Sequence, residues 1–118
     1  MPNSQNASIV AIYQSLNAQQ DALSEAIQKT TDPQLADAIS TESSEILHRI
    51  ILTQNLLFQS DSAALQNSAD AVTNASGQLQ SAILTVNKIT DLVNGVTTYL
   101  ALVDKALDLA KTLAPLVA

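Results

Sequence analysis

Glu45-Ile46-Leu47-His48 is the one fragment of this chain whose side chains carry the parts and the spacing of a reactive centre. An E-x-x-H puts a carboxylate and an imidazole on one helix face, the half-site from which carboxylate-bridged di-iron bundles are built. Such a site needs a second copy of the fragment and two more glutamates. This sequence holds one histidine and three glutamates, Glu25, Glu42 and Glu45, so the metal set cannot be completed. Glu45 and Arg49, four residues apart, read instead as an ion pair, and His48 as a solvated side chain near Asn55.

Other chemistries lack their parts as well. Serines are plentiful, but no G-x-S-x-G elbow occurs and one histidine would have to serve every role of a triad. There is no glycine loop to cradle phosphate and no alternating oxygen loop for calcium. Without cysteine there are no disulfides, thiolate nucleophiles or thiolate metal sites. Asp104, Lys105, Asp108 and Lys111 form a charged helix face. Asp32, Asp37, Glu42 and Glu45 make an acidic stripe near a helix start, where the helix dipole favours negative charge. The expectation is a protein without catalytic residues, metal or cofactor.

The net charge of −6, with five basic residues, argues against nucleic acid, because backbone phosphates are bound by clustered lysine and arginine. Anionic membranes are disfavoured for the same reason. The first residues, MPNSQNAS, show no basic segment followed by an apolar run, so no signal peptide is visible. Tyr99 to Ala118 is the most apolar stretch, but Asp104, Lys105, Asp108 and Lys111 disqualify it as a membrane span. The chain is expected to be cytoplasmic, or exported by a route it does not itself encode.

The elements follow from periodicity. With 118 residues, two glycines, three prolines and aromatics at 3%, one helical domain over 1–118 is expected. Ile9, Ile12, Tyr13, Leu16, Leu23 and Ile27 recur at helical spacing over about 5–29. Thr31-Asp32-Pro33 supplies a capping oxygen and a proline for the first turn of a second helix, about 33–58, carrying Leu35, Ile39, Ile46, Ile50 and Leu57. Gln59-Ser60-Asp61-Ser62 introduces a third. From Leu65 the seam runs Ser68, Val72, Ala75, Leu79, Ala82, Val86, Ile89, Val93, Val96, Leu100, Val103, Leu107 and Ala110 to Ala114 without losing phase.

Asn94-Gly95 could interrupt it, since asparagine then glycine is common helix-stop chemistry. Read that way, helices at about 62–94 and 97–114 complete an all-α, up-and-down antiparallel four-helix bundle. Read as uninterrupted, the last helix would be about 75 Å long, in a three-helix rod. The break is the preferred reading. Gly77 reads as a kink.

Two helices carry more apolar circumference than one seam requires. In the second, Leu47, Ile51 and Phe58 lie beside the main stripe, and Leu52 and Leu56 lie opposite it. In the last, Leu102, Leu109, Leu113 and Leu116 lie off the main stripe. Full burial of such side chains is worth about 1.5 to 3 kcal/mol each, so a covering surface is expected. Leu52, Leu56, Leu102, Leu109, Leu113 and Leu116 are therefore the candidate partner-binding residues. Roughly a third of the chain is Ser, Thr, Asn or Gln, which suits a face that docks on protein. The sequence thus points to a helical protein–protein interaction or self-assembly module. The alternative is a membrane-active protein whose last helix lays its apolar face in lipid.

Overall fold

The computed structural model describes residues 5–115 and contains four helices: α1 Ala7–Lys29, α2 Pro33–Gln54, α3 Ala63–Leu84 and α4 Ile89–Lys111. Three begin on side-chain caps that the sequence carries. Asn6 Oδ1 accepts from the amides of Ser8 and Ile9 at 3.0 and 3.1 Å. Asp32 Oδ1 accepts from Gln34 N at 3.0 Å ahead of Pro33, and Ser62 Oγ accepts from Leu65 N at 3.0 Å. Each satisfies amides that have no partner inside the helix. Lys88, before α4, makes no such bond, and Asp91 in the first turn supplies a favourable charge instead.

The break between α3 and α4 falls at Thr85–Lys88, six to nine residues before Asn94, and α4 runs straight through Gly95. This corrects the preferred boundary. Two physical reasons account for it. Stopping at Leu84 gives α3 and α4 22 and 23 residues, the same lengths as α2 and α1, so neither hairpin has an uncovered overhang. At the break itself, Thr85 bonds back to the Ser81 carbonyl at 3.2 Å, and Thr85 and Val86 are both poor helix formers. Gly95 does not have positive φ. A Cβ placed there would lie 3.2 Å from Leu79 Cδ1, so this glycine serves the close approach of α4 to α3. Gly77 likewise sits inside helix α3, and a Cβ there would meet nothing within 4 Å. The second helix ends at Gln54, earlier than expected, and residues 55–58 form turns.

Helix direction alternates, and all four helices meet at one end of the bundle through the segment joining α2 to α3. The Asn6 amide donates to the Leu57 carbonyl at 2.7 Å, and its side-chain amide donates to the carbonyls of Gln59 and Ser60, both at 3.0 Å. Ser60 N donates to Ala114 O at 2.7 Å, and Gln59 Nε2 to Leu113 O at 2.7 Å. The starts of α1 and α3 and the ends of α2 and α4 therefore lie together. Within this up-and-down arrangement, α1 packs on α2 and α3, and α4 packs on α3 and α2. The parallel pairs are thus neighbours, and the α2–α3 connection crosses the bundle end diagonally.

The buried seams are Ile9, Ile12, Leu16, Gln19, Leu23 and Ala26 in α1, and Leu35, Ile39, Glu42, Ile46, Ile50 and Thr53 in α2. In α3 they are Leu65, Ala69, Val72, Ser76, Leu79 and Ile83, and in α4 Leu92, Val96, Tyr99, Val103, Ala106 and Ala110. Of the continuous seam read across 65–114, Leu65, Val72 and Leu79 in α3 and Val96, Leu100, Val103, Leu107 and Ala110 in α4 are buried. Ser68 and Ala75 are only partly buried and Ala82 is exposed, while Ile89 and Val93 are each 37% exposed. The chain turns between 84 and 89, and the seam positions beside that turn, Ala82, Ile89 and Val93, are exposed.

Candidate functional site

The Glu45 carboxylate pairs with Arg49 of the next turn, and His48 is exposed. Arg49 also reaches α4, donating from Nε to Asp104 Oδ1 and from Nη2 to Asp104 Oδ2, both at 3.1 Å. The bond to Asp104 holds the guanidinium charged more strongly than its partial burial disfavours that charge. Arg49 is therefore a clamp between α2 and α4 as well as half of a helical ion pair. Among the described residues no group of three His, Cys, Asp or Glu side chains could hold a metal ion. A broad concavity is lined by Ala101, Asp104, Lys105, Asp108 and Leu109 of α4 and by Thr112 at its C-cap, and is an open face with no opposing wall.

The six leucines expected to form a partner surface are placed differently. Leu56 is buried, and Leu52, Leu102, Leu109 and Leu113 are partly buried against the core. Leu116 lies outside the described residues. The reason is the adjacency of the helices. Both α2 and α4 have two neighbours and pack on one another, so each buries an arc wider than a single seam. For Leu56 there is a further reason: it lies beyond the helix, where wheel positions no longer apply.

Among the described residues the large apolar side chains most exposed are Leu47, Ile51 and Phe58, ahead of Ile27, Ile89 and Val93 at 37% each. Leu47 and Ile51, one turn apart on α2, are 48% and 49% exposed, and Phe58, in the turn segment after the helix, is 48% exposed. Exposed Ser40, Ser44, His48, Gln54 and Asn55 lie beside Leu47 and Ile51, so the surroundings are polar. All three residues stood out in the sequence as apolar. What placed Leu47 and Ile51 outside is the rotation of α2, fixed by Leu35, Ile39, Ile46 and Ile50 facing inward.

At mid-height the core is polar. Gln19 in α1, Glu42 in α2, Ser76 in α3 and Tyr99 in α4 occupy corresponding seam positions, and all are buried. Gln19 Nε2 donates to Ser76 Oγ at 2.6 Å, to Ser76 O at 3.1 Å and to Ser15 O at 3.3 Å. Ser15 and Tyr99 bond through their hydroxyls. Burial pushes the Tyr99 hydroxyl up to about 12, against the opposing pull of Ser15. The Glu42 carboxyl is raised above the ordinary glutamate value first by burial and then by the charge of Glu45, with Arg49 pulling it down. Nothing in the sequence reading identified this layer, because its members lie on four different helices.

No family model, no curated protein and no solved structure matches this chain. No helix among the described residues is long and apolar enough to cross a membrane.

Proposed function

We propose that this protein is a non-catalytic helical assembly module that pairs with a second copy of itself through Leu47 and Ile51 of α2 and Phe58 of the segment that follows it. The observation that carries this reading is Leu47 and Ile51, one turn apart on α2, with Phe58 in the turn segment that follows the helix, each about half exposed. The polar flanks suit a second copy as occupant: an antiparallel approach of two α2 helices brings Ser40, Ser44, Gln54 and Asn55 to the rim. A two-fold axis level with residue 49 sets Leu47 of one copy against Ile51 of the other.

The strength follows from the exposed fraction. Covering the open half of each side chain is worth about 1 kcal/mol, or about 6 kcal/mol over two copies. That is comparable to the cost of association, so the expected dimer is weak, with a Kd in the micromolar to millimolar range. Sedimentation velocity over that concentration range, on wild type and on Leu47→Glu/Ile51→Glu, tests it. A concentration-dependent dimer in the wild type alone supports the proposal. A wild type that stays monomeric throughout overturns it, as does flotation of that monomer with vesicles, which would favour lipid as the occupant.

A further inference from the structure

Two bundles keep both hairpins of this chain intact. In the observed one, α1 neighbours α2 and α3, α4 neighbours α3 and α2, and the 55–62 connection crosses the diagonal. Turning the α3–α4 hairpin about the bundle axis puts α3 beside α2 and α4 beside α1, the regular up-and-down bundle with every neighbour antiparallel. A connection long enough for the diagonal is long enough for the side. Helix dipoles favour the turned form, because ends of opposite partial charge then lie next to one another.

The apolar seams give little ground for choosing between the two. Helix α1 presents Ile9, Ile12, Leu16 and Leu23, and α2 presents Leu35, Ile39, Ile46 and Ile50, so the α3–α4 hairpin meets much the same surface whichever way it lies. Cores tolerate exchanges among residues of such similar shape and volume.

The polar contacts do discriminate. Parallel neighbours exist only in the observed form, and each of its two parallel pairs is joined by a directed polar contact. Between α1 and α3, Gln19 Nε2 donates to Ser76 O at 3.1 Å and to Ser76 Oγ at 2.6 Å. Between α2 and α4, Arg49 donates from Nε and Nη2 to the two oxygens of Asp104, both at 3.1 Å. Packed helix axes lie about 8 to 10 Å apart and a diagonal measures about 11 to 14 Å, so neither contact can close once its helices become diagonal. Gln19 and Ser76 are buried and Arg49 is mostly covered, so the turned bundle would strand their donors. The bond between the Ser15 and Tyr99 hydroxyls belongs to the observed form as well: it spans the α1–α4 diagonal, and Tyr99, the largest fully buried side chain, has the reach for it.

As a stabiliser in its own right the Gln19 contact is poor. Its Oε1 is buried without a hydrogen-bond partner among the described residues, and apolar residues of similar volume often replace buried polar groups without loss of stability. Its worth lies in the arrangement it forbids. We propose that Gln19–Ser76 and Arg49–Asp104 are topology selectors: they hold the α3–α4 hairpin in the crossed orientation and exclude a turned bundle that the apolar seams alone would admit.

The variant Gln19→Leu/Ser76→Ala/Arg49→Leu tests this, since it leaves Glu45 and Asp104, both about half exposed, in contact with water. Inter-helix NOEs identify the bundle: α1–α3 and α2–α4 in the crossed form, α2–α3 and α1–α4 in the turned one. Wild type should give one set of amide resonances with the first pattern. The variant should give a second set carrying the second pattern, or convert to it completely. Restoring Gln19 and Ser76 in that background should shrink the second set, because one selector is back in place. A variant that keeps a single set with the crossed pattern overturns the proposal. So does a second set without the turned pattern, and so does a variant that fails to fold, since the contacts would then hold the bundle together rather than choose between bundles.

Discussion

Gly77 and Gly95 are both helical glycines, yet replacing them by alanine should have different consequences. In a helix interior glycine is about 1 kcal/mol less favourable than alanine, because it loses more backbone freedom on folding. At Gly77, exposed on α3, an added Cβ meets nothing within 4 Å, so Gly77→Ala should realise nearly the whole gain. For a domain of this size that is about 4 to 6 °C in Tm. At Gly95 the same gain is opposed by contact with Leu79 Cδ1 at 3.2 Å. Leu79 is 7% exposed and part of the core, so its methyl must shift by a few tenths of an ångström against packed neighbours. The two terms are of similar size, and Gly95→Ala should lie within about 0.5 kcal/mol of wild type. Urea unfolding of the two variants and of the double mutant checks this. Equal stabilisation at both sites would refute the view that Gly95 serves the approach of α4 to α3. Destabilisation by more than about 1 kcal/mol at Gly95 would point instead to a left-handed turn there.

Two further perturbations test the contacts that close the bundle. Asn6→Ala removes the cap of α1 and both bonds from the side-chain amide to Gln59 and Ser60, and should cost about 2 kcal/mol, read by chemical unfolding. Hydrogen exchange should rise first at the amides of Ser8 and Ile9. Asp104→Ala frees one side of the Arg49 clamp. With Asp104 about half exposed and Arg49 mostly covered, the loss should be about 0.5 to 1 kcal/mol and should shrink in high salt, which a Tm series at two ionic strengths would show.

Much of the architecture was legible locally. Asp32-Pro33 and Ser62 mark helix starts because a short oxygen-bearing side chain can reach the free amides without tertiary help. Asn6, by contrast, lies just inside the expected start of α1, and its role emerges only where the crossover segment meets it. Asn94-Gly95 misled for a definable reason: its residues suit a helix stop, but the length of the hairpin partner and the nearness of Leu79 decide whether the stop is used. The Thr85–Lys88 break has neither glycine nor proline to announce it.

The candidate surface shows the same division. Leu47, Ile51 and Phe58 were visible as surplus grease beside the stripe of α2, and so were Leu52, Leu102 and Leu109. Which set was covered depended on the packing of α2 against α4, and that contact depends on the diagonal crossover at the bundle end.

By itself the chain determined its helical class, its caps, and the absence of the residue sets that metal or nucleophilic chemistry requires, because these follow from residue type and spacing along a few turns. The tertiary structure alone decided where the last hairpin turns, which apolar stripe stays in water, and that Gln19, Glu42, Ser76 and Tyr99 share one level. Those are relations between helices, set by which seams face each other, and residues distant in sequence carry no record of their mutual height until the bundle is assembled.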